Sequence, residues 1–213
     1  MRALFAVLLV AAAPLGATGA LAQNAPEAPA ATAPAAPAGK AAEAGRAGTP
    51  EPDRAKRLDA LFAALKAAPD EESAKSIAER IDVALTPSDS DTADLLMGRA
   101  ALALQAKDFD LALQLLDGVI RIEPDHLEAW NKRATVFYLK QDFSDALTDL
   151  RQVVAREPRH YGAWAGIAII CKEIGDEKHA LEAARNALAI YPRLDEVEEM
   201  EKTLSISVEG RPI

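Results

Sequence analysis

Hydrophobic positions along the second half of the chain fall in a rhythm that repeats. Over residues 127–160, LEAWNKRATVFYLKQDFSDALTDLRQVVAREPRH, two apolar stripes of helical period are separated by a polar break at Lys140–Asp142. The stretch reads as two amphipathic helices joined by a turn. Shifting the chain on itself by the 34 residues of this stretch brings further units into phase, at 93–126 and 161–194. Pro124, Pro158 and Pro192 close the units, because proline cannot continue a helix. Asp108, Asp142 and Asp176 precede each second helix, where a carboxylate accepts from exposed N–H groups. Ala100, Ala134 and Ala168 sit within the first helices. Ala112, Ala146 and Ala180, each followed by leucine, sit within the second. Small residues at fixed places let paired helices approach closely, while Trp130, Trp164 or Leu96 fills the wider gap beside them.

Upstream, Leu58, Leu61, Phe62 and Leu65 predict a helix from Arg54 that ends at Pro69. Acidic residues at Asp70–Glu72 open a second helix marked by Ile77, Ile81 and Leu85 and closed by Pro87. This 54–87 hairpin has roughly repeat length but no Trp, and is expected to be a degenerate repeat or an N-terminal cap. Downstream, Leu194, Val197, Met200 and Leu204 predict a capping helix, and 205–213 a tail.

The N-terminus has a different character. Arg2 precedes an uninterrupted apolar run, Ala3 to Ala13, followed by helix breakers and Ala20-Leu21-Ala22. That is the pattern of a secretory signal peptide over residues 1–22, cut after Ala22. The run falls well short of the roughly 20 residues needed to span a bilayer, so no integral membrane segment is expected after cleavage. The expected location is the periplasm or outside the cell. Residues 23–53 are rich in Ala and Pro with almost nothing to bury, and read as a flexible linker.

The repeated columns resemble the tetratricopeptide repeat, W-x2-L-G-x2-Y, then A-x3-F, then P. The middle unit supplies Trp130, Phe137, Ala146, Leu150 and Pro158, with Arg133 and Ala134 in place of Leu-Gly. The third unit has Cys171 for the aromatic and Ala184 for the large apolar residue, and the first lacks both Trp and aromatic. The resemblance implies an all-α, right-handed superhelical solenoid of helical hairpins. Its first helices would line a concave groove for a protein or peptide partner. By position, that lining comprises Met97, Ala101, Leu104, Asn131, Lys132, Thr135, Tyr138, Ile169, Lys172 and Glu173. Tyr138 reads either as the interface anchor or as core packing beside Phe137. Relatives that clamp a terminal carboxylate do so with cationic and amide groups. Met97, Ala101, Lys132, Gly162 and Gly166 stand at the corresponding places here, so that clamp is not assembled.

Composition narrows the rest. Aromatics are only 5 per cent against 50 per cent hydrophobic residues, a balance suited to close-packed helices. A net charge of −9 opposes nucleic-acid binding. No nucleophile elbow, phosphate loop, zinc motif or dinucleotide fingerprint occurs, so no catalytic residue, cofactor or metal is expected. His126 and His160 recur at one repeat position and read as turn residues rather than zinc ligands. Cys171, the single cysteine, reads as a buried thiol, and Val197 and Met200 are expected to fill the space left by it and Ala184. Arg99 and Arg133 read as burying their stems, with an acidic partner nearby. The function expected is that of a non-catalytic periplasmic adaptor or scaffold for a protein partner in the cell envelope. A holdase or assembly factor for exported proteins is the alternative, and an enzyme or obligate enzyme subunit is a third.

Overall fold

A computed structural model describes residues 51–86 and 88–210. The signal peptide and nearly all of the Ala/Pro-rich linker lie outside the described residues. Those residues form helices and no strand. In chain order they are α1 (Glu51–Lys66), α2 (Glu71–Leu85), α3 (Asp91–Gln105), α4 (Phe109–Ile122), α5 (Leu127–Leu139), α6 (Phe143–Arg156), α7 (Tyr161–Glu173), α8 (Glu177–Ile190) and α9 (Asp195–Glu209). The pairs α3–α4, α5–α6 and α7–α8 are the three repeat hairpins, and the fold is the all-α superhelical solenoid that the repeat pattern implies.

The turns inside the three hairpins are built alike. Each first helix ends in a left-handed residue: Lys107 (φ 60°), Gln141 (φ 65°) or Gly175 (φ 83°). The next N–H reaches back to close the helix, from Asp108 to the Ala103 carbonyl at 2.9 Å, Asp142 to Phe137 at 2.8 Å and Asp176 to Cys171 at 2.8 Å. Asp108 and Asp176 then cap the following helix by accepting from Leu111 N–H (3.2 Å) and His179 N–H (3.3 Å). Asp142 makes no such side-chain bond.

The turns between hairpins use different chemistry. His126 and His160 are the N-caps of α5 and α7, and each Nδ1 accepts from the third N–H along, Ala129 (3.2 Å) and Ala163 (3.0 Å). Trp130 and Trp164 each donate from Nε1 to the carbonyl of the closing proline, Pro124 and Pro158, at 2.8 Å. The two histidines are turn residues, as their recurrence suggested, and the prolines supply acceptors as well as breaks.

The core is continuous from α5 to α9. Leu150, Val153, Ile170 and Leu204 are completely or almost completely buried. Cys171 and Ala184 share this cluster with Val197 and Met200, so the cap fills the thin interior of the third hairpin. Burial raises the Cys171 thiol above its ordinary pKa, and the Asp176 charge adds to the effect. The cap helix runs on to Glu209, past the boundary expected at Leu204. Arg185 holds Glu209 through both carboxylate oxygens, Glu177 accepts from Ser207, and the chain turns only at Gly210 (φ 87°). Val208 lies half-buried against the core, whereas Ile206 faces solvent.

The N-terminal hairpin occupies a place that its order in the chain does not announce. Phe62, Leu65, Ala74, Ile81 and Leu85 share a cluster with Tyr161 and Tyr191, flanked by Leu127, Ile190 and Leu194. No residue of α3 or α4 belongs to that cluster. The hairpin therefore folds back along the starts of α5 and α7 and the turn after α8.

Candidate partner-binding surface

The first helices α5 and α7 lie side by side, and Tyr138 of α5 ties them by donating from its hydroxyl to Glu173 Oε1 of α7 at 2.7 Å. The Tyr138 ring is buried, 6.0 Å from the Phe143 ring, within the central cluster. Core packing is therefore its role in this state. Met97, Leu104, Asn131, Thr135 and Ile169 are buried as well. Of the ten positions carried over from the resemblance, Ala101, Lys132 and Lys172 are half-exposed and Glu173 is exposed. Most of the ten positions are thus buried, and the accessible ones are Ala101, Lys132 near the start of α5, and Lys172 and Glu173 at the end of α7.

At the starts of α5 and α7 the floor is polar. The Nδ1 of His160 accepts from the backbone, so Nε2 carries the proton and donates to Glu128 Oε1 at 3.0 Å. Asn131 donates to the other Glu128 oxygen at 3.5 Å, and Lys132 approaches it at 3.8 Å. Burial pushes the Glu128 carboxyl upward. The His160 hydrogen bond, with Lys132 and Asn131, more than offsets it and brings the pKa down to about 2. One repeat earlier, His126 has the same backbone bond, but its buried Nε2 finds no partner among the described residues. Asp94, one methylene shorter than Glu128, occupies the corresponding place and is exposed.

The N-terminal hairpin closes this polar end. Tyr161 donates to Asp82 Oδ1 at 2.8 Å, and the Tyr161 and Tyr191 rings meet edge-on at 5.2 Å. Arg159 is gripped by both oxygens of Glu157, pairs with Asp59 and stacks on Phe62 at 4.5 Å. Arg193 donates to the Ala68 and Pro69 carbonyls in the turn between α1 and α2. Burial raises the pKa of Asp82 despite the Tyr161 hydrogen bond, with the nearby Glu128 charge adding to the rise. Burial also raises the Tyr161 hydroxyl, reinforced by the Asp82 charge.

On the opposite side of α5, Arg133 holds Asp149 with two 2.8 Å bonds and also reaches Asp117. Its guanidinium lies 4.8 Å from the Trp130 ring centroid. This is the buried stem and acidic partner expected of it, and it joins all three helices α4, α5 and α6. Arg99, one repeat earlier, is exposed.

Sequence reasoning missed the docking of the hairpin, although a signal was present. Tyr191 stands where the other units carry Glu123 and Glu157, and Tyr161 where they carry Ala93 and Leu127. Two aromatic departures from repeat columns at one end of one unit mark a place that packs against something outside the repeat.

A family model described as Tetratricopeptide repeat matches residues 97–146 and 131–194. A TPR repeat-containing protein of Rhizobium etli is 36% identical over 137 residues, 64% of this chain and 67% of the relative. Among solved structures, MamA superposes with a TM-score of 0.53 at 18% identity, over 56% of this chain and 66% of MamA. The first TPR of Spaghetti (RPAP3), bound to an HSP90 peptide, gives 0.54 at 16%, over 57% of this chain and 96% of that domain. The Sgt2 TPR domain of Aspergillus fumigatus gives 0.53 at 18%, over 61% and 89%.

Proposed function

The chain belongs to the tetratricopeptide-repeat family, and from that premise we propose that it is an exported, non-catalytic adaptor that binds a protein partner on its first-helix face. A solenoid of this family is a scaffold for protein–protein interaction. The observation that carries the finer reading is that Lys132, Lys172 and Glu173 stay accessible on first helices whose other carried-over positions are mostly buried apolar and amide side chains. Such a surface offers a fixed charge pattern on rigid helices, which suits recognition of an extended or helical segment. The missing carboxylate clamp argues that the segment is gripped along its length rather than by its terminus. Export rests on the signal-peptide pattern of residues 1–22.

Two measurements test this. N-terminal sequencing of the protein recovered from its native host should begin at Gln23, in the fraction released by mild osmotic shock. Recovery of the uncut chain from the cytoplasm would overturn export. Affinity purification of the full-length chain should recover a partner at stable stoichiometry, lost on Lys172→Glu with no change in melting temperature. Undiminished recovery would overturn the placement of the site. Suppression of aggregation of many unrelated exported proteins, without a stoichiometric partner, would favour the holdase instead.

A further inference from the structure

In a stack of helical hairpins each unit touches its neighbours, so the shape of the array is the sum of nearest-neighbour interfaces. Those interfaces are α4 against α5 and α6 against α7. Among the described residues, one buried cluster joins the first unit to the second, and another joins the second to the third and to α9. Neither spans from the first unit to the third.

The N-terminal hairpin crosses that order, because it and its connector grip all three turns that close the repeats. At the first turn, Glu123 accepts from the Ser88 hydroxyl at 2.9 Å and from the Asp89 N–H at 3.0 Å. At the second, Arg159 pairs with Asp59 and stacks on Phe62, and Tyr161 donates to Asp82. At the third, Arg193 donates to the Ala68 and Pro69 carbonyls, and Tyr191 and Leu194 join the hairpin's apolar cluster. These turns occupy the same place in successive units and so lie along one edge of the solenoid, where first helices begin.

We propose that α1–α2 is a strap that sets the curvature of the solenoid: docked along the three turns, it holds the units in one superhelical shape, and lifted, it frees them to bend at the two stacking interfaces. A tie gripping successive turns works as a splint, since any change in the angle between units must pull a turn away from it. The grip is made so that it can open. The Arg159 and Asp59 side chains that pair across it are 39% and 66% exposed. Asp82 opposes docking when ionised: burial raises its pKa, the Glu128 charge adds to the rise, and the Tyr161 hydrogen bond and Lys132 offset it only in part. Lifting the hairpin returns that carboxylate to water. Such a sub-global opening leaves the apolar clusters of the repeats in place.

Pulsed electron double resonance on the full chain tests this with spin labels on cysteines at exposed positions. Gln105→Cys with Lys178→Cys reads the distance between the first and third units, and Lys75→Cys with Lys178→Cys reads docking of the hairpin. Cys171 is buried and stays unlabelled. The otherwise unaltered chain should give one narrow distance for each pair. Phe62→Asp, which puts a carboxylate into the docking cluster, should abolish the narrow 75–178 distance and broaden the 105–178 distance with it, while circular dichroism still shows the repeats folded. Arg193→Ala, which removes the side-chain grip on the third turn and leaves the repeat clusters intact, should do the same to part of the population. It carries the test by itself if Phe62→Asp costs the fold. A 105–178 distance that stays narrow after the docked 75–178 distance is lost overturns the proposal, because the repeats then hold their curvature unaided. A 75–178 distance that Arg193→Ala leaves unchanged also overturns it, because the hairpin is then a fixed part of the core.

Discussion

Arg133 offers the sharpest test of how the repeats are held together. Asp149 is only 2% exposed, and both its oxygens are taken by Arg133 at 2.8 Å. Replacing Arg133 with alanine leaves a buried carboxylate unpaired and strips the guanidinium from the Trp130 ring. Breaking a buried pair in this way costs about 3–5 kcal/mol. The Arg133 side chain is 17% exposed and water can reach part of the gap, so the lower end, about 3 kcal/mol, is expected. For a chain of this size that lowers the melting temperature by roughly 6–12 °C. Arg133→Met combined with Asp149→Leu removes both charges at similar volume and should lie within about 1 kcal/mol of the wild type. Urea unfolding followed by circular dichroism on wild type, Arg133→Ala, Asp149→Leu and the double variant supplies the comparison. A loss below about 1 kcal/mol for Arg133→Ala would refute the reasoning. A double variant as unstable as Arg133→Ala would also refute it, because the cost would then lie in packing rather than in the unpaired charge.

Gln141 holds φ 65° at a position where the third repeat uses Gly175; Gln141→Gly should stabilise by up to about 1 kcal/mol in chemical denaturation, because the left-handed conformation is free of strain only for glycine. Removal of residues 195–213 uncovers the cluster that Val197, Met200 and Leu204 complete. It should cost several kcal/mol, at roughly 1.5–3 per buried side chain, seen as a much lower thermal midpoint. Glu128 is held at a pKa of about 2, below its ordinary 4.5. Its contribution to stability is therefore full above about pH 4.5 and lost as pH falls from there through about 2. Glu128→Gln should cost about 1.5 kcal/mol at pH 7 and flatten the acid limb of the stability–pH curve within that window. An acid limb of unchanged slope would show that other carboxylates carry it.

The repeat architecture was legible because it is written in residues whose chemistry is local. Pro158 must end a helix, Ala146 must admit a close neighbour, and Asp108 and Asp176 cap the helices that follow them. The filling of the third hairpin by Met200 was legible too, since Cys171 and Ala184 announce a deficit of volume. The docking of α1–α2 was not. Leu58, Leu61, Phe62 and Leu65 show that a face is buried without showing against what, and the answer depends on Tyr161 and Tyr191, about a hundred residues away. The expected groove lining was legible as a set of positions but not as a surface. Whether Tyr138 points into a groove or under Phe143 depends on helix spacing that no single unit encodes, and its bond to Glu173 is one of the contacts that decide it.

The central claim is that the first-helix face, and not the outer face of the second helices, receives the partner. It is tested most directly by a photo-crosslinking residue placed at Lys172, compared with one at Glu182 on the exposed side of α8, in living cells. One discrete adduct should form from position 172 and none from position 182. An adduct from 182 with none from 172 would contradict it.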